Sequence, residues 1–295
     1  MLYQEDLFEL FLKLDSLSKP EQKLFLQELS NQNSDKANEL KKLVAGNADF
    51  TQQFLSNIQN YSETLVSDSV QIGNDYGVYT LIEKLGIGGM GQVFLAERND
   101  GLIEQKVAIK FLHPALYQLN STQTLLNEAQ ALASINHPNI ANIIDVVKTD
   151  GGLIYLIMEY IDGQTLSEYL EDQSLSFSQK LKLFSRIADA VHEAHTQRIV
   201  HGDIKPSNIL IDSKGQPKLI DFGIMQVVNN SQDKSDSFVK QYLCAMTVNY
   251  SAPELLNGRT ASVQSDVYAL GCLFYYMLTG EAPYEQQGGS LNEKI

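Results

Sequence analysis

Apolar residues recur at two different periods along this chain. Up to about residue 60 they fall at helical spacing: Leu7, Leu10, Phe11 and Leu14, then Leu24, Phe25 and Leu29, then Leu40, Leu43 and Val44, then Phe50, Phe54, Leu55 and Ile58. That spacing predicts a small all-α unit of short amphipathic helices over residues 1–60. Ser18 ahead of Pro20 reads as a helix start, and Ser34 or Asp35 reads as the cap of the third helix. From Tyr61 to about residue 75 the chain turns polar and glycine-containing, as a linker does.

From Tyr76 the period shortens. Val78–Ile82, Val93–Ala96 and Lys106–Lys110 are β-like runs separated by glycine or polar turns, which predicts an antiparallel sheet. Residues 121–135 read as a helix, Ile154–Tyr160 as a further strand, and residues 177–196 and 265–279 as helices. The expectation is an α+β domain over 76–295, with a small β-rich lobe at about 76–160 and a larger helical lobe at about 161–295.

Composition narrows the class. An apolar fraction of 43% over 295 residues supports a full core rather than disorder. Two cysteines, Cys244 and Cys272, are too few and too separated for a disulfide framework or a zinc site, which favours a reducing cytoplasm. The start, Met1-Leu2-Tyr3-Gln4-Glu5-Asp6, carries acid where a secretory signal carries base. The longest apolar run, near Val267 to Leu278, falls short of the roughly 20 residues that cross a bilayer, so no membrane span is expected. A net charge of −14, from 22 bases and 36 acids, argues against a nucleic-acid partner.

The chemistry lies in His201-Gly202-Asp203-Ile204-Lys205-Pro206-Ser207-Asn208, followed by Asp221-Phe222-Gly223. Two carboxylates and an amide at this spacing suit a hydroxyl nucleophile and magnesium gathered around one phosphoryl group. Upstream lie Gly86-Ile87-Gly88-Gly89-Met90-Gly91-Gln92-Val93 and Val107-Ala108-Ile109-Lys110. Glycines alone are weak evidence, but these lie between β-like runs, where a dinucleotide fingerprint would open a helix; bare backbone amides there can approach phosphates.

In order and spacing these motifs resemble a bacterial eukaryotic-like (Hanks-type) serine/threonine protein kinase, whose fold is bilobal. The resemblance implies ATP and Mg2+ as cofactors, with Mn2+ able to replace the magnesium, and a protein with a Ser or Thr acceptor as substrate. It implies Asp203 as catalytic base, Lys205 beside the moving phosphoryl group, Lys110 on the α- and β-phosphates paired with Glu128, and Asn208 and Asp221 as metal ligands. Gly86 to Gly91 would cover the phosphates. Val93, Ala108 and Leu210 would sandwich adenine, with Met158 behind it and Glu159, Tyr160 and Ile161 as hinge. Ile143, Leu132, Phe222 and His201 would stack as a buried column.

On the substrate side, Thr247-Val248-Asn249-Tyr250-Ser251-Ala252-Pro253-Glu254 resembles the peptide-receiving segment, with Thr247 positioning the acceptor, and Asp266-Val267-Tyr268-Ala269-Leu270-Gly271 resembles the helix that supports the catalytic loop. Gly202 departs from the family, where arginine usually precedes the catalytic aspartate and receives an activation-loop phosphate. Autophosphorylation at Ser231, Ser235 or Ser237 would therefore not order the loop by that pairing. The family also leads one to expect further helices beyond Ile295 and an arginine partner for Glu254. Two other readings stay open at this stage: a small-molecule kinase of the aminoglycoside or choline type, which also carries His-Gly-Asp, and a nucleotide-binding pseudokinase scaffold.

Overall fold

The computed structural model describes residues 10, 14, 17, 19–44, 70–88, 91–112, 122–149, 152–222, 249–256 and 259–283. Two helices come first, α1 (Lys19–Gln32) and α2 (Ser34–Val44). Leu29, Ala37 and Leu40 bury against Leu10, Leu14, Phe25 and Leu26, forming a miniature core of their own. The cap of α2 is Asn33, whose Oδ1 accepts the Lys36 N–H at 3.1 Å. The expected caps, Ser34 and Asp35, instead lie inside the first turn: Asn33 is spaced to reach the third N–H of the helix, and its amide serves as well as a hydroxyl. The remaining positions of the helix expected at 7–14, and the whole of that at 50–58, lie outside the described residues.

The small lobe is a six-stranded antiparallel sheet in the order β1-β2-β3-β4-β6-β5. Its strands are β1 (Asp75–Tyr76), β2 (Tyr79–Gly88), β3 (Gly91–Arg98), β4 (Lys106–Leu112), β5 (Ile143–Lys148) and β6 (Ile154–Glu159). Strand β4 is buried on both faces, which is why its sequence reads as a continuous apolar run rather than an alternation. Val107, Ile109 and Phe111 pack outward with Tyr79, Leu81, Phe94, Ala96, Tyr155 and Ile157. On the opposite face Leu112 meets Ala129 of helix α3 (Thr122–Ala133), together with Ile154 and Leu156. Val70 and Tyr76 seal the outer cluster; the Tyr76 ring sits 4.8 Å from Phe111 and 5.6 Å from Tyr155. Val70 and Asp75 thus already pack or pair with this lobe, on the linker side of the boundary expected at Tyr76.

The chain then passes into β7 (Gly163–Thr165), α4 (Leu166–Asp172) and α5 (Phe177–Thr196), followed by β8 (Ile209–Asp212) and β9 (Pro217–Leu219). Two helices complete the described part, α6 (Pro253–Leu256) and α7 (Val263–Thr279). Reciprocal capping boxes start three of these helices: Thr165 with Glu168, Ser176 with Gln179, and Ser262 with Ser265. Ile187 and Val191 of α5 meet Ile204, Ile209, Leu219, and Leu273 and Met277 of α7, in one core that also holds Leu132 and Phe222. Strand β9 meets the strand read at Lys218-Leu219-Ile220 ahead of Asp221, whereas its partners β7 and β8 lie where the sequence pattern reads as mainly helical. Strands of three or four residues are too short to display a period of two. Among the described residues no helix is long and apolar enough to cross a membrane.

Candidate active site

Strand register builds the upper wall of the cleft. Val93 faces Lys110 across β3 and β4, Ala108 faces Met158 across β4 and β6, and Lys110 faces Leu156. Directly opposed residues share a sheet face, so Val93, Ala108, Lys110 and Met158 all lie on the inner one. Gly86, Ile87 and Gly88 pair with Val93, Gln92 and Gly91, so the glycine-rich stretch is a paired hairpin that stays in β geometry nearly to its tip. Gly91 is required there: its φ is +143°, and a Cβ would fall 1.8 Å from the Phe111 carbonyl oxygen. Gly89 and Met90 lie outside the described residues.

Lys110 is 3% exposed, and its Nζ lies 2.7 Å from Asp221 Oδ1. Burial works against the charged form of Asp221, but the Lys110 ammonium outweighs it and holds the carboxyl below its ordinary 3.8. Lys205 pulls in the same direction, so the two lysines and this carboxylate belong to one electrostatic cluster. Asp221 itself adopts φ +59°, a left-handed conformation that costs a non-glycine residue about 1 kcal/mol or more. The Glu128 backbone lies in α3, and its side chain is outside the described residues; the partner of Lys110 in this structure is Asp221.

The lower wall has no regular register. Residues 201–205 form an irregular loop that ends in a 3₁₀ turn, Pro206–Asn208. Asp203 Oδ2 takes both the Lys205 ammonium, at 2.8 Å, and the Asn208 Nδ2 donor, at 2.9 Å. Asn208 Nδ2 also donates to the Asp203 carbonyl oxygen at 2.8 Å, tying side chain and backbone together.

Buried polar groups hold this loop. Asp266, 1% exposed in the first turn of α7, accepts the His201 N–H on Oδ2 and the Gly202 N–H on Oδ1, both at 2.8 Å. His195 Nε2 approaches the same Oδ2 at 2.8 Å. The His201 imidazole accepts the Asp203 N–H on Nδ1 at 3.2 Å, which leaves Nε2 as the donor to the Ile220 carbonyl at 3.1 Å. Burial lowers the His201 pKa below its ordinary 6.5, in keeping with this neutral tautomer. Its ring contacts Phe222 at 4.6 Å between centroids. With Leu132 and Ile143 in the same core, the four members of the expected column come together.

Gly202 has φ +74°, and a Cβ there would meet Ala261 Cβ at 3.3 Å. Glycine suits this position, because the turn into Asp203 is left-handed and tight.

The family model for the protein kinase domain matches residues 79–295. The chain belongs to the protein kinase family. The kinase domain is 37% identical over 211 residues to the serine/threonine-protein kinase PrkC of Bacillus subtilis, covering 71% of this chain and 31% of that protein. It is 35% identical over 211 residues to PknB of Mycolicibacterium smegmatis, covering 70% of this chain and 33% of the relative. The chain thus spans about a third of the length of these curated relatives. The crystal structure of the Mycobacterium tuberculosis PknI kinase domain superposes with a TM-score of 0.55 at 26% identity, covering 72% of this chain and 79% of that one.

The expected site residues divide by position. Lys110 pairs with Asp221, and Lys205 and Asn208 with Asp203, the two groups being joined by the charge of Lys205 acting on Asp221, while Leu210 sits on β8 opposite Lys218, and Tyr160 and Ile161 follow β6 into the large lobe. Thr247, Ser231, Ser235 and Ser237 lie outside the described residues. The sequence reading missed Lys218, whose Nζ binds Glu159 Oε1 at 2.7 Å, and His195 as a partner of Asp266. A charge directly before the apolar pair Leu219-Ile220, three residues ahead of Asp221, was the available signal for Lys218.

Among the described residues no group of three His, Cys, Asp or Glu side chains could hold a metal unaided. The donor set present, one carboxylate at Asp221 and one carboxamide at Asn208, fits magnesium, which takes few protein oxygens and completes its shell from phosphates and water.

Proposed function

We propose that this domain transfers the γ-phosphoryl group of ATP to serine or threonine hydroxyls of protein substrates, using magnesium. The supporting observation is that Lys110, Asp221 and Lys205 share one electrostatic cluster while Lys205 and Asn208 both hold Asp203. Bound ATP supplies the phosphoryl group and its ADP leaving group. Val93, Ala108, Met158 and Leu210 would enclose the adenine, Gly86 to Gly91 would lie over the phosphates, and Glu159 to Ile161 would present hinge backbone. Lys110 would hold the α- and β-phosphates, turning from Asp221 toward them, with Glu128 as its partner in that state. Asp221 and Asn208 would then hold Mg2+, and Mn2+ satisfies the same oxygen donors.

Asp203 would take the proton of the acceptor hydroxyl as the new O–P bond forms and the bond to ADP breaks. Lys205 would offset charge on the transferring group, and its presence favours Ser or Thr acceptors in protein over a small-molecule substrate. Thr247 would position the acceptor. We further propose a cytoplasmic site of action, supported by the two separated cysteines and the need for ATP.

The deciding experiment is transfer of label from γ-labelled ATP to the chain itself and to a generic protein substrate, with Asp203→Asn in parallel. Labelled Ser or Thr that disappears in the variant supports the reading. Equal labelling by both proteins, or label passing to small hydroxyl compounds alone, overturns it.

A further inference from the structure

The match to the kinase family begins at residue 79, yet the chain is part of the small lobe from Val70 onward. Val70, 4% exposed, is buried in the outer cluster of the sheet together with Phe111 and Tyr155. The Gly73 N–H donates to the Leu81 carbonyl at 2.8 Å, and the Leu81 N–H donates to the Asn74 carbonyl at 3.1 Å. Asp75 then pairs with Thr80, and Tyr76 with Tyr79. Asp75 Oδ1 accepts the Thr80 hydroxyl at 2.5 Å and the Asn99 amide at 2.8 Å, so the stretch is fixed both to β2 and to the turn after β3. Along the sheet, β1 stands three strand positions from β4, about 14 Å at the ordinary spacing. The Tyr76 ring nonetheless meets that of Phe111 edge to face at 4.8 Å, and that of Tyr155 at 5.6 Å. The sheet therefore curls until residues 70–76 lie as a strap over its outer face. Phe111 is fully buried, faces Tyr155 across β4 and β6, and directly follows Lys110. Neighbours on a strand point to opposite faces, so the ring under the strap and the ammonium that pairs with Asp221 occupy adjacent positions of one strand.

We propose that Tyr76, supported by Val70, is a positioning residue for the nucleotide: the strap holds β4 at the curvature that presents Lys110 to the phosphates. Ladder hydrogen bonds to β3 and β6 fix the register of Lys110, but they tolerate a wide range of twist and bend. The strap narrows that range, because flattening the sheet would draw the Tyr76 ring away from Phe111 and Tyr155 and forfeit their edge-to-face contact. Without the strap a smaller fraction of molecules holds Lys110 in the binding geometry, and apparent affinity falls by that fraction. The ladder itself is kept, so the effect is severalfold rather than total.

The role of Lys110 toward phosphates rests on the kinase reading, whereas the bracing of β4 rests on the contacts alone, and two measurements separate them. The first is calorimetric binding of ADP with Mg2+ to the full chain, to Tyr76→Ala and to Tyr76→Phe. Tyr76→Ala is expected to weaken binding about twofold to tenfold, the worth of the aromatic contact, and Tyr76→Phe, which keeps the ring, to bind as the native chain does. The second is hydrogen exchange without nucleotide, in which Tyr76→Ala is expected to lose protection at residues 109–112 while residues 187–191 of α5 keep theirs. A lower melting temperature with unchanged ADP affinity overturns the proposal and leaves Tyr76 a structural residue; a phenylalanine variant as weak as the alanine one overturns it too, since the ring is then not what acts. Should Tyr76→Ala fail to fold, Val70→Ala trims the same strap more mildly and is judged by the same outcomes. If the native chain binds no nucleotide the kinase reading fails, and exchange alone decides the bracing: protection lost at 109–112 supports it, and unaltered protection overturns it.

Discussion

The two walls of the cleft are built by opposite means. Above, Lys110 is placed by strand register: β4 is paired on both sides and packed on both faces, so the position of one side chain follows from the whole ladder. Below, Asp203 stands on an irregular loop whose N–H groups are satisfied by one buried carboxylate and one neutral imidazole. Redundant pairing makes the upper wall tolerant of single losses outside the lysine itself. The lower wall concentrates its support in Asp266 and His201, and breaks where they break.

The largest expected effect tests the upper wall. Lys110→Met removes the ammonium that opposes Asp221 while the surrounding ladder remains, so phosphoryl transfer should fall about a hundredfold to a thousandfold with the fold intact. Kinetics alongside circular dichroism would check this, and an unfolded variant would show that the two walls are not separable. Next comes Asp266→Ala, which leaves the buried His201 N–H and the part-buried Gly202 N–H unsatisfied and should cost about 3–5 kcal/mol, seen in denaturant unfolding, together with most of the activity. A loss confined to stability would mean that the loop keeps its shape without its anchor.

Smaller effects sharpen the contrast. Gly202→Ala meets both the left-handed backbone and Ala261, and should cost about 1–2 kcal/mol in thermal or denaturant unfolding. Because burial depresses the His201 pKa, the unfolded chain binds a proton before the folded one does. Its stabilisation is complete above about pH 6.5 and declines as the pH falls through that value. Melting curves from neutral to mildly acidic pH should therefore decline more steeply for the native chain than for His201→Gln. Last, replacing Ser231, Ser235 and Ser237 together with alanine should leave the transfer rate unchanged, since Gly202 offers no guanidinium to a loop phosphate; a large loss would overturn that expectation.

Much of the upper wall was legible in the sequence because its strands are β-like runs bounded by glycine or polar turns. The run Lys106–Lys110 opens β4, and in the large lobe the expected helix at 177–196 coincides with α5. The motif residues of the lower wall could be recognised, and by resemblance so could the buried His201 and the helix that begins at Asp266, but not the pairings by which they hold the loop. His201 and Asp266 are 65 residues apart, and His195 lies 71 residues from the same carboxylate. Such pairings carry no local pattern, and the same holds for Glu159 and Lys218 at 59 residues. The strand expected at Lys218–Ile220 coincides with β9 to within a residue, whereas β7 and β8 escaped for the other reason, brevity. Asn33 was passed over as a cap because two good candidates adjoin it.

The anchoring of Asp203 through Asp266 also has a consequence in time. A chain leaves the ribosome N-terminus first, and at about 5–20 residues per second the 65 residues between His201 and Asp266 take roughly 3–13 s to appear. During that interval the sheet bearing Lys110 is complete, while the loop bearing Asp203 lacks the group that shapes it. A nascent chain can thus bury its nucleotide lysine well before it can shape its catalytic loop, and translation halted in that window yields a half-site, silent toward the hydroxyls around it.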